Sequence, residues 1–82
     1  MDPIARTEHQ LAAALRRYRK QAELTQTDIA AATQKRQATI SSLEAGAGGN
    51  LDTLFAVLTA LNLELVVRPR RAASVHDLED IF

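Results

Sequence analysis

The sequence predicts a mainly α-helical domain of four to five short helices that closes on one short strand. Three observations predict it. Helix-opening residues recur at Thr7, Thr25 and Asn50, each ahead of a segment with apolar residues three or four positions apart. Stop residues, Gly46 and Asn62, close two of those segments. The apolar period then changes at Leu63-Glu64-Leu65-Val66-Val67-Arg68, a run with β-branched residues that stops at Pro69.

Residues 1–6 read as an N-terminal arm. Thr7 with Gln10 makes a capping-box pair, and a first helix runs from about Glu8 to Gln21. Leu11, Leu15 and Tyr18, with Ala14 beside them, give that helix one apolar face; Arg16, Arg17 and Lys20 point mostly elsewhere. Thr25 caps a second helix, about Gln26 to Thr33, and Asp28 returns the bond. Its Ile29 and Ala30 turn inward. Gln34 to Arg36 make a tight turn. The third helix spans about Gln37 to Ala45, with Ile40 and Leu43 inward and Gln37, Ala38, Ser41 and Ser42 on the opposite face. Gly46 ends it and opens a loop to Asn50. A fourth helix, about Leu51 to Leu61 and capped by Asn50 or Asp52, carries an apolar stripe of Leu51, Leu54, Phe55, Leu58 and Leu61. Asn62 closes it in a left-handed conformation.

The strand at about 63–68 has no partner strand in an otherwise helical chain. It is expected to pair with its own copy across a two-fold axis, through Leu63, Leu65 and Val67. The alternative is an irregular apolar segment packed on the fourth helix. Residues 7–68 thus form the domain, and residues 69–82 a flexible C-terminal tail. In the tail, Val75, Leu78 and Ile81 or Phe82 recur at one-turn spacing among acidic residues, a weak amphipathic segment that folds on a partner or does nothing.

A chain of 82 residues is at most one domain and is marginally stable alone. It has no cysteine, so neither disulfides nor a thiolate metal site support it. His9 and His76 lie far apart in sequence, and no metal or cofactor is expected. Oligomerisation is the remaining support. No paired histidines, Gly-rich phosphate loop or nucleophile–base set is present, so an enzyme is not expected; Ser41 and Ser42 with Glu44 lack a nearby histidine. With no signal pattern and no apolar run of about 20 residues, the expected location is the cytoplasm, on the nucleoid when bound to DNA. Net charge is zero, from ten basic and ten acidic residues. The distribution is uneven. Arg16, Arg17, Arg19 and Lys20 form one basic cluster, Lys35 and Arg36 a second, and Arg68, Arg70 and Arg71 a third, while Asp77, Glu79 and Asp80 crowd the tail. Local patches rather than net charge steer a phosphate backbone.

Two short helices joined by a tight turn, the second bearing small polar residues, fit a major groove. Glutamine reaches the edge of adenine with two hydrogen bonds, and arginine or lysine does the same to guanine. Small residues such as Ala38 and Ser41 permit close approach. The opening of the second helix, with Gln26, is placed to meet a phosphate.

Leu15-Arg16, Arg19, Leu24-Thr25-Gln26, Ile29-Ala30 and Gln37-Ala38-Thr39-Ile40-Ser41-Ser42-Leu43-Glu44 with Gly46 resemble the Cro-type (XRE-type) helix-turn-helix family over about Leu15 to Leu61. The resemblance implies a lambda-repressor-like fold. It implies base-reading by Gln37, Ala38, Ser41 and Ser42 and a phosphate contact by Gln26; Arg36 is expected to join the base-reading set, and Thr25, Lys35 and Thr39 the phosphate set. It also implies a structural ion pair between Arg19 and Glu44 that ties the first helix to the third. There are departures. The family usually has glycine in the turn, often followed by an apolar residue, where this chain has Gln34 and Lys35. Gln34 is then expected to bear left-handed strain and Lys35 to be free for phosphate. Glu23 stands where glycine or asparagine is usual.

Lys35-Arg36-Gln37-Ala38-Thr39-Ile40-Ser41, Leu54-Phe55, Leu61-Asn62-Leu63-Glu64-Leu65 and the tail with its aromatic Phe82 are similar to the HipB-like antitoxins of HipA-type kinase systems. That likeness implies a homodimer that binds a palindromic operator, represses its own operon and neutralises a HipA-like serine/threonine kinase toxin. Two other readings stand beside it: a stand-alone XRE-type regulator without a toxin, and a protein-interaction module that does not bind DNA.

Overall fold

The computed structural model describes residues 2–70. The expectations for Arg71, His76 and the amphipathic and acidic part of the tail lie outside those residues. Four helices are formed among them: α1 (Glu8–Gln21), α2 (Gln26–Thr33), α3 (Gln37–Glu44) and α4 (Leu51–Ala60). None is long and apolar enough to cross a membrane.

α1, α2 and α4 start at local capping groups. Thr25 Oγ1 accepts from the Asp28 amide at 3.0 Å, and Asp28 Oδ2 accepts from the Thr25 amide at 2.8 Å, so α2 opens with a reciprocal box. The bond from the Thr25 backbone N–H, and after it the nearby Thr25 side chain, hold the Asp28 carboxyl below its ordinary pKa. In α1 only half of the expected box forms. Thr7 Oγ1 accepts from the Gln10 amide, but Gln10 Oε1 accepts from Arg6 N at 2.6 Å, not from Thr7. Asn50, not Asp52, caps α4, its Oδ1 accepting from Thr53 N at 2.8 Å.

The helices stop in one way. Each is followed by a left-handed residue: Glu23 (φ 59°), Gln34 (φ 57°), Gly46 (φ 72°) and Asn62 (φ 58°). At each, two backbone bonds fold back on the last turn. Leu24 N donates to Arg19 O and Glu23 N to Lys20 O after α1; Lys35 N donates to Ala30 O and Gln34 N to Ala31 O after α2. The same pair of bonds recurs from Ala47 and Gly46 after α3 and from Leu63 and Asn62 after α4. These are Schellman endings, which satisfy carbonyls the helix leaves open. Leu24 and Leu63 also pack against the core, the apolar contact that accompanies the motif.

The core joins all four helices. Leu15 of α1, Ile29 and Ala30 of α2, Ile40 of α3, and Leu54, Val57 and Leu58 of α4 form one buried cluster, with Leu11, Leu43 and Leu61 at its rim. α3 lies in the middle, against α1, α2 and α4, and Ile40 is its fully buried centre. α4 departs from the expected stripe. It buries Thr53, Leu54, Val57 and Leu58, while Leu51 and Phe55 are 70% and 49% exposed. Leu51 and Phe55 therefore lie off the face that packs on α2 and α3.

No strand is formed among the described residues. Residues 63–70 leave regular structure, and Leu65, Val66 and Val67 are exposed. A strand exists only with a neighbour to bond to, and one chain offers this segment none.

Candidate nucleic-acid interface

The outer face of α3 carries the residues that the pattern assigned to base edges. Gln37, Ala38, Ser41 and Ser42 are all exposed, on the side of α3 away from Ile40. Their side chains make no hydrogen bond to any other described residue. Arg36 is exposed at the N-cap of α3 and gives no side-chain capping bond. The exposed surface of α3 and its N-cap therefore presents a cation, a carboxamide and three small residues.

The turn that delivers α3 is built from backbone. Gln34 takes the left-handed conformation, as its place in the sequence implied. Such a conformation costs a residue with a Cβ roughly 1–2 kcal/mol. The two bonds to the Ala30 and Ala31 carbonyls hold it there.

Arg19 and Glu44 meet under this unit. Arg19 Nε lies 2.7 Å from Glu44 Oε2 and Nη2 lies 2.9 Å from Oε1, a bidentate fork. Arg19 Nη1 donates to the Leu24 carbonyl at 2.7 Å. Only 10% of the arginine side chain and 4% of the glutamate side chain remain exposed. One guanidinium thus fastens the end of α1, the turn before α2, and the last turn of α3. No polar side-chain atom buried among the described residues is left without a partner.

The expected phosphate residues are placed unequally. Thr25 is exposed at the start of α2. Gln26 is half-buried, and its Nε2 donates to Glu44 Oε1 at 3.3 Å, so its carboxamide rests on the ion pair. Thr39 is half-buried in α3. Lys35 departs from expectation. It is not free: its ammonium pairs with the Asp52 carboxylate in the first turn of α4. Nothing local predicts that contact, because the two residues are 17 positions apart. The chain reversal at Gly46 also involves a packing contact that periodicity does not reveal. A Cβ on Gly46 would come within 2.5 Å of His9 Nδ1 on α1.

A family model described as Helix-turn-helix matches residues 15–67. No curated protein matches the sequence. Among solved structures, a HipB variant in complex with an O2 20mer is 29% identical, with a TM-score of 0.81 over 87% of this chain and 100% of that one. A HipB–O4 20mer complex is 30% identical, with a TM-score of 0.78 over the same shares. A HipA–HipB–O2–O3 complex is 30% identical, with a TM-score of 0.77, again over 87% and 100%.

Proposed function

Because this chain belongs to the helix-turn-helix family, we propose that it is a sequence-specific DNA-binding repressor and the antitoxin of a HipA-like serine/threonine kinase. It represses its own operon and holds the kinase inactive. The observation that carries the DNA reading is the outer face of α3, exposed and small, set on a buried scaffold to which it contributes no side-chain bond. The likeness over 87% of the chain to HipB in complex with O2 and O4 20mers, and to a HipA–HipB–O2–O3 complex, supports both halves of the proposal.

In this reading Gln37, Arg36, Ala38, Ser41 and Ser42 meet base edges, and Thr25, Gln26, Lys35 and Thr39 meet phosphates. The domain is residues 7–68, and it works as a homodimer. Residues 63–68 pair with the same residues of a second copy, covering Leu65 and Val67, which one chain leaves exposed. The dimer sets two α3 helices in successive major grooves, roughly 34 Å apart, on a palindromic site.

The test is a titration of a promoter fragment from the chain's own operon, at stated salt concentration, with and without a co-expressed HipA-like kinase. A shift that a random duplex does not reproduce, together with co-purification of the kinase and loss of its activity in the complex, is the expected result. Binding to the promoter without capture of the kinase removes the antitoxin half. Failure to shift any fragment at low salt removes the DNA half.

A further inference from the structure

The Lys35–Asp52 pair serves neither the core nor the outer face of α3. Lys35 stands in the turn that precedes Arg36 and Gln37, with 27% of its side chain exposed. Asp52 lies in the first turn of α4, with 79% of its side chain exposed. The cap of α4 is Asn50, so Asp52 is not needed to start that helix. A carboxylate in that first turn gains a little from the helix dipole, yet it also neutralises the lysine nearest to the N-terminal end of α3. The family often has an apolar residue where this chain has Lys35, so the lysine of the pair is a departure from that pattern.

We infer that Asp52 restrains DNA affinity by occupying the Lys35 ammonium, so that on binding Lys35 exchanges a carboxylate for a phosphate. The inference rests on the DNA-binding reading above. An ammonium has three donors and no fixed fork, so it changes partner without rebuilding its surroundings. An exposed pair is weak, and a duplex phosphate can displace the carboxylate. A lysine already neutralised by the protein contributes less to counterion release than a free one. Asp52 therefore lowers both the affinity and its salt dependence, equally for every base sequence.

The experiment compares wild type, Asp52→Asn, Lys35→Ala and the double variant on two duplexes, the promoter fragment and a random sequence, across a salt series. Asp52→Asn keeps the size of the side chain, and Asp52→Ser repeats the test with a second neutral residue suited to a helix start. Either variant is expected to bind both duplexes more tightly at low salt, by roughly two- to fivefold per protomer, the factor that one weak exposed ion pair corresponds to. The slope of log K against log salt is expected to steepen, by up to about 0.9 per protomer. In the Lys35→Ala background, Asp52→Asn is expected to change nothing. Unchanged or weaker binding by Asp52→Asn overturns the inference. Equal tightening with and without Lys35 also overturns it, since Asp52 then acts by general repulsion. If wild type binds neither duplex, the DNA reading fails with it; if wild type binds and Asp52→Asn binds identically, this inference alone fails.

Discussion

Glu44→Ala is expected to cost between about a quarter and all of the stability of this domain. The guanidinium of Arg19 directs two N–H groups to Glu44 and one to the Leu24 carbonyl, in a place where 10% of its side chain meets water. Alanine removes both carboxylate oxygens and leaves a whole charge there without its counter-ion. Breaking a buried pair from one side costs about 3–5 kcal/mol. A chain of 82 residues has a total of about 4–12 kcal/mol at ordinary stability per residue. The thermal midpoint should therefore fall by at least ~12 °C. Urea titration followed by far-UV circular dichroism, at one fixed protein concentration, measures the loss as a fall in midpoint with unchanged slope. The paired replacement Arg19→Met with Glu44→Leu should recover most of it, because no charge is then buried. A loss below about 1 kcal/mol for Glu44→Ala, or a double variant no better than the single one, would refute this account. It would mean that water reaches the guanidinium and the three segments are held by the core alone.

Gln34→Gly should stabilise the protein by about 0.5–1 kcal/mol, since glycine accepts the left-handed turn without strain; an unchanged denaturation midpoint would show that the turn has relaxed. Gly46→Ala should destabilise it by at least about 1 kcal/mol, from the same conformation plus the clash with His9, read in the same melts. Gln37→Ala should lower specific affinity by about 1–3 kcal/mol if the carboxamide makes a bidentate base contact, and should leave random-duplex binding unchanged; equal losses on both duplexes would move Gln37 to the phosphate set. Asp28 has its carboxyl pKa depressed by its bonds to Thr25. Its contribution to stability is therefore present above the ordinary aspartate range near pH 4 and is lost as pH falls through the lower folded value. Asp28→Asn should flatten acid-side loss of stability, and parallel acid curves for the two proteins would contradict the assignment.

The limits of the helices were legible in the sequence because their causes are local. Thr25 with Asp28, Asn50, Gly46 and Asn62 act on backbone groups within four residues, and the helices begin and end beside them. Gln10 was legible as a capping residue but not as a partner for Arg6. The outer and inner faces of α3 followed from period alone. The face of α4 did not. Five apolar residues crowd that helix, and periodicity counts them equally, whereas packing buries Val57 and Thr53 and leaves Leu51 and Phe55 out. Contacts between elements had no local signal. Arg19 and Glu44 are 25 positions apart, and only the family resemblance paired them; Lys35 and Asp52 had no such guide. The segment after Leu63 has exposed apolar residues and no strand neighbour among the described residues, so its expected strand depends on a second molecule.

The exposed side chains of α3 make no bond to the rest of the described chain, and this separates what can vary from what must stay. Exchange of Gln37, Ala38, Ser41 or Ser42 for other small or polar residues disturbs neither the Arg19–Glu44 fork nor the packing of Ile40. Under the proposed function, changes of operator preference can therefore accumulate one residue at a time, with each intermediate still folded. A lineage of such proteins can drift toward new binding sites, and a designer can transplant a foreign recognition set onto this frame. The helix ending at Gln34 allows this, because the angle of presentation is fixed by main-chain hydrogen bonds that no side-chain exchange removes.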